Sequence, residues 1–160
     1  MKIEYFVPGV PKPGGSKKGF YNKHLNRVMI VDACAGNKTW RDSVKFATLE
    51  AYSGPQLNGP LSLSVTFKMP RPQGHFCTGK NAGVLKHNAP YWHTKRPDRT
   101  KLLRSTEDAI KDSGIVVDDT IFCDGNIRKV YSNDGRCGAL IVIEGMVTTR
   151  SGEKRSLTGL

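Results

Sequence analysis

Residues 96–124 read RPDRTKLLRSTEDAIKDSGIVVDDTIFCD, and this stretch decides the fold. Pro97 disfavours helical geometry at Arg96, so a helix begins just after it. Apolar or small positions then recur at Leu102, Leu103, Thr106, Ala109 and Ile110, the spacing of one helical face. The opposite face carries Lys101, Arg104, Asp108 and Lys111. Gly114 ends the helix as a left-handed cap. Residues 115–117, IVV, read as a brief β-branched strand running into Asp118 and Asp119. Packing the helix back on that strand brings Asp98, at the helix entrance, toward Asp119. Seven of the chain's 14 acids lie here: Asp98, Glu107, Asp108, Asp112, Asp118, Asp119 and Asp124. They read either as a cation-binding cluster or as a helix and turn with solvated carboxylates.

Around this acidic stretch the chain is strongly basic. Its 160 residues carry a formal net charge of +11, which points to a polyanionic partner. The charge is blocked by sign. Residues 5–31 hold no acid but contain Lys12, Lys17, Lys18, Lys23 and Arg27. Residues 51–97 hold none either, against Lys68, Arg71, Lys80, Lys86, Lys95 and Arg96. Such blocks suit phosphates, and Lys12, Lys17, Lys18, Lys80, Lys86, Lys95 and Arg96 are the candidate nucleic-acid contacts. No apolar run reaches the ~20 residues of a membrane span, and MKIEYFVPG lacks a signal-peptide stretch. The expectation is a cytoplasmic protein without a membrane partner. Cys34, Cys77, Cys123 and Cys137 show no CxxC spacing, so reduced thiols are expected.

Outward from the core stretch, residues 3–7 read as a strand stopped by Pro8-Gly9. Residues 11–19, PKPGGSKKG, form neither helix nor central strand, and their glycines allow close backbone approach to a ligand. Residues 20–31 suggest a hairpin with VMIV as its apolar arm. Residues 37–52 read as a helix capped by Asn37, with Trp40, Val44, Ala47, Leu49 and Ala51 inward. LSLSVTFKM, residues 61–69, alternates with period two and is the clearest strand. Residues 74–97 form a loop too long for a plain connection. It holds His75, Cys77, His87 and His93, a spacing that matches no standard structural zinc site, so its glycines read as shaping the loop and Tyr91 and Trp92 as packing or stacking residues. Residues 127–131 and 139–144 read as strands joined by SNDG, the second apolar enough to be buried. The fold expected is α+β: one small domain over 1–147, a mixed β-sheet packed by two main helices, with a basic polar tail over 148–160.

Pro97-Asp98-Arg99-Thr100-Lys101-Leu102-Leu103-Arg104, then Asp108-Ala109-Ile110, Gly114 and Asp118-Asp119-Thr120, resemble the PDxDxLxK, DAL, glycine and DD signature of RusA-type Holliday junction resolvases. Residues 75–97 resemble the long loop of the phage-borne members. Two positions depart from the pattern: the second motif acid is Thr100 and the motif lysine is Arg104. Thr100 offers a hydroxyl without charge, and Arg104 keeps the charge in a planar fork.

The resemblance implies a metal-dependent endonuclease, phage or prophage encoded, that resolves four-way DNA by paired symmetric nicks as a homodimer. Asp98 and Asp119, with Asp118, would hold Mg²⁺, with Mn²⁺ as its substitute. Lys101 or Arg104 would stabilise charge on the phosphate, with Thr100 beside them. The departure at Thr100 supports an alternative, a branched-DNA-binding protein with weakened or lost catalysis.

Overall fold

The computed structural model describes residues 1–15, 17–32, 34–148 and 154–156. Its centre is a mixed sheet built on β4 (Leu61–Met69), whose nine residues alternate between buried and partly buried along their whole length. β1 (Lys2–Pro8) pairs antiparallel with β7 (Gly138–Thr148), and β7 pairs antiparallel with β4. On its other edge β4 takes β5 (Phe122–Asp124) and β6 (Ile127–Tyr131), both parallel. Outside this sheet lie β2 (Lys17–Asn22) and β3 (Arg27–Asp32), paired only with each other.

Register explains the core. Ile3, Tyr5 and Val7 sit opposite Ile143, Ile141 and Ala139, which in turn sit opposite Leu63, Val65 and Phe67. Directly opposed residues share a face, so one side of the sheet is continuously apolar. Helices α1 (Asn37–Ala51) and α2 (Arg99–Ser113) supply Trp40, Val44, Leu102, Ala109 and Ile110 to the same core. The other face of β4 presents Ser62, Ser64, Thr66 and Lys68. The result is the expected α+β domain with a mixed sheet and two helices.

Several local expectations change. Residues 115–117 do not make a strand. They make one bridge, Val116 to Leu57, with Leu57 N–H donating to Ile115 O at 2.7 Å and Val117 N–H to Leu57 O at 3.0 Å. Only one residue of the segment before β4 runs alongside, so the ladder cannot extend. Asn37 does not cap α1. Gly36 holds the cap position at φ 84°, while the buried Asn37 Oδ1 accepts from Ser105 Oγ at 2.6 Å and ties the two helices. Leu49 and Ala51 face solvent, and Thr48 continues the Trp40–Val44 stripe. Its hydroxyl is tolerated there because it donates to Val44 O at 2.7 Å and meets Tyr5 OH at 2.6 Å. The β6 and β7 strands follow each other in sequence but do not pair, since β4 lies between them.

Gly114 caps α2 at φ 81° as expected. Gly125 is required for another reason: at φ 143° a Cβ there would lie 1.8 Å from Leu63 O, where the chain passes tightly from β5 to β6. Lys154–Ser156, as β8, pairs with β7. The rest of the tail beyond residue 148 lies outside the described residues. Among the described residues no helix is long and apolar enough to cross a membrane.

Candidate active site

The long loop is laid along β6, and this places Asp98. Tyr131 N–H donates to Tyr91 O at 2.9 Å and His93 N–H to Lys129 O at 3.1 Å. Lys129 then donates its ammonium to Lys95 O at 2.7 Å and Pro97 O at 2.6 Å, holding the turn on both sides of Arg96. Burial lowers the Lys129 pKa, and nearby Asp98 acts against that shift. Further out, Arg71 ties the loop down by donating to Pro90 O, Ser132 O and Asn133 Oδ1.

Asp98 occupies the cap position of α2 but makes no side-chain cap bond. Its carboxylate stays exposed, 3.8 Å from Lys101 Nζ. It lines a cavity of about 750 Å³ with Lys12, Arg96, Lys101 and His93. His93 is buried against Tyr131, ring centroids 4.6 Å apart, and burial followed by the Lys129 charge lowers its pKa.

Lys12 reaches this cavity because the glycine loop lies on α2. Gly14 N–H donates to Lys101 O at 2.9 Å, and a Cβ on Gly14 would lie 3.0 Å from Ser105 Cβ. These glycines thus allow a close approach to the helix. Arg104 packs beside Gly15, where an added Cβ would lie 3.0 Å from Arg104 Cδ. Thr100 is exposed in the first turn of α2.

Asp118 and Asp119 lie by the other end of α2. Lys111 Nζ is 3.1 Å from Asp118 Oδ2 and 3.5 Å from Asp119 Oδ1. Asp118 Oδ1 also accepts from Thr120 N–H at 3.2 Å. The hydrogen bond shared with Asp119, then those from Lys111 and Thr120 N–H, hold Asp118 well below the usual carboxylate range. Glu107 is raised instead, first by burial and then by the charges of Asp119 and Asp108. Asp108 and Asp112 both face Arg41 of α1.

At 1.5 Å per residue, roughly 20 Å of helix separates Asp98 from Lys111. Asp98 thus pairs with Lys101 at the start of α2, whereas Asp119 pairs with Lys111 near its end. Among the described residues no three His, Cys, Asp or Glu side chains converge as metal ligands do. The Asp118–Asp119 pair nevertheless fits a hard cation: its oxygens already hold an ammonium, and Mg²⁺ uses one or two protein carboxylates with phosphate and water completing its shell.

Of the remaining candidate DNA contacts, Lys17, Lys18, Lys80, Lys95 and Arg96 are exposed. Lys86 is used internally, donating to Gly74 O at 2.8 Å. Tyr91 and Trp92 stand half exposed in an edge-to-face pair, centroids 4.9 Å apart.

One residue near the site escapes a sequence reading, Lys129. For Lys129 a signal existed: period-two alternation in β6 sets it on the same face as Ile127 and Tyr131, an odd place for a lysine without a partner.

Comparison with known families gives one match. A family model described as endodeoxyribonuclease RusA covers residues 8–143. No curated protein sequence matches the chain.

Proposed function

The chain belongs to the RusA endodeoxyribonuclease family, and on that premise we propose that it resolves Holliday junctions by paired, symmetric, Mg²⁺-dependent nicks. The observation that carries this reading is Asp98 set among Lys12, Arg96 and Lys101 in one open cavity. Three cations suit a DNA phosphate, and a lone exposed carboxylate among them suits a cation shared with that phosphate.

Bound there, Mg²⁺ (or Mn²⁺ in its place) would supply an activated water and neutralise charge on the scissile phosphate. Asp98 and the Asp118–Asp119 pair would be its ligands. Lys101, one turn into α2, would hold the phosphate. Arg104, packed against the glycine loop, would orient that loop and add charge. Thr100 would contribute a hydroxyl at the helix entrance. Lys129 keeps the carbonyl framework around Asp98 rigid, so that its carboxylate is aimed before DNA arrives.

A homodimer would suit both substrate and protein. A four-way junction presents two strands at symmetric positions, which a two-fold pair of sites matches. Asp98 and Asp119 lie toward opposite ends of α2, so a two-fold axis running α2 antiparallel to itself would set Asp98 of one protomer beside Asp119 of the other. The same reading makes the protein phage or prophage encoded and cytoplasmic, where its four free cysteines stay reduced. The alternative, a branched-DNA-binding protein that has lost catalysis, rests on the missing charge at Thr100.

Incubating a synthetic four-way junction with the protein, with and without Mg²⁺, tests the proposal. Symmetric nicks only with Mg²⁺ are the expected result. Tight junction binding without nicks selects the alternative. Lys129→Met checks the positioning role: it should lower the nicking rate by about 10²-fold, the scale for losing one preorganised group, with junction affinity nearly unchanged. Lys129→Arg, which keeps donors for both carbonyls, should recover part of the rate. An undiminished rate in Lys129→Met removes the residue from the site.

A further inference from the structure

The β2–β3 hairpin has no place in the core. Among the described residues it pairs with no strand of the main sheet and adds none to the core cluster. Both of its faces are apolar and wet. Phe20 opposes Met29 on one, and Tyr21 opposes Val28 on the other, beside Ile30. Ile30 is 70% exposed, Val28 66% and Tyr21 56%. A two-stranded ribbon alone is marginal in water, and exposed apolar surface of this kind marks a binding element.

The tip is nevertheless preorganised. Asn22 Oδ1 accepts from His24 N–H at 3.0 Å and Leu25 N–H at 3.1 Å. Tyr21 OH donates to Asn26 Oδ1, and Asn26 takes the left-handed conformation at φ 48°.

The charge on the ribbon selects the occupant. Lys18, Lys23 and Arg27 flank the apolar residues, and the one acid of the ribbon, Asp32, stands at its base opposite Lys17. A second copy of the ribbon would set these cations against their like. A DNA backbone complements them, but an intact duplex keeps its base faces stacked and offers little to Phe20, Tyr21 or Ile30. Unpaired bases offer both phosphate and an open aromatic face.

We propose that the β2–β3 hairpin binds unpaired bases at a DNA branch point, its lysines on the backbone and Phe20 and Tyr21 stacked on the bases. This deepens the junction-resolving reading and rests on it for the source of those bases.

The test compares a Phe20→Ala/Tyr21→Ala double variant with the unaltered protein in metal-free anisotropy titrations. The probes are a linear duplex, the same duplex with a short unpaired bulge, and an immobile four-way junction. Stacking on two bases predicts a loss of at least about 30-fold on the bulged and junction probes. Duplex affinity should change by less than about threefold, since the phosphate contacts remain. Tyr21→Phe, which loses the bond to Asn26 but keeps the ring, should retain most of the preference and so separates stacking from collapse of the tip.

The inference is overturned if the unaltered protein binds bulged and plain duplex alike, or if the double variant weakens equally on all probes or on none. It is also overturned if sedimentation shows the double variant reduced to monomers, because the hairpin then serves a second copy. A protein that prefers the bulge through these rings yet neither prefers nor nicks the junction would sink the resolving function and leave the hairpin's role intact.

Discussion

Asp98→Asn and Asp119→Asn will each slow junction nicking by on the order of 10²–10³-fold, the scale for removing one preorganised charged group. Each replacement keeps the size of the side chain and removes its charge. Asp98 makes no cap bond that the exchange would break, so α2 should start where it does now. Asp119 loses its attraction to Lys111, but Asp118 keeps that ammonium at 3.1 Å. Glu107 is relieved of a repelling neighbour, so the turn after Gly114 should hold.

Affinity should survive or rise slightly, because Asp98 is a negative charge in a cavity lined by Lys12, Arg96 and Lys101 that is proposed to meet phosphate. Single-turnover nicking rates beside anisotropy affinities check both halves. A near-wild-type rate in either variant would remove that carboxylate from the site. An equimolar mixture of the two variants bears on the two-fold arrangement. Recovery of nicking requires carboxylates from both protomers in one site, and its absence would confine each site to one protomer.

Junction affinity will fall about 10³-fold between about 50 and 200 mM salt. The figure follows from ~6 phosphate contacts at roughly −0.9 each, a slope of log K against log salt near −5. The structure narrows which cations supply them. Lys86 and Lys129 are committed to carbonyls of the loop, and Lys68 faces Asp134 at 3.9 Å and the Phe6 ring. Lys12, Lys18, Lys80, Lys95 and Arg96 remain as the contact set, with Lys17 beside them opposite Asp32. Titrations over that salt range measure the slope directly. A slope shallower than about −2 would mean that these side chains stay solvated in the complex.

Elements with a local cause were legible in the chain itself. Apolar spacing, Pro97 and Gly114 place α2 as found. The alternation of LSLSVTFKM gives β4 residue for residue, and IRKVY gives β6. The basic blocks and the signature around Asp98 and Asp119 need no coordinates either. Misreadings arose where a neighbour from elsewhere in the chain decided the outcome. Asn37 could serve as a cap until Ser105 takes its side chain, and residues 115–117 have strand composition but only Leu57 to pair with.

Which groups meet was settled by the tertiary structure alone. It inserts β4 between the consecutive strands β6 and β7, lays the glycine loop on α2 to bring Lys12 to Asp98, and aims Lys129 at the turn that carries Asp98. It also gives Asp98 and Asp119 different lysine partners, Lys101 and Lys111, although both acids belong to one sequence signature. The physical reason is that periodicity and capping depend on residues a turn or two apart, which a sequence displays. Strand order and side-chain encounters depend on long-range packing, where local pattern leaves many pairings equally acceptable.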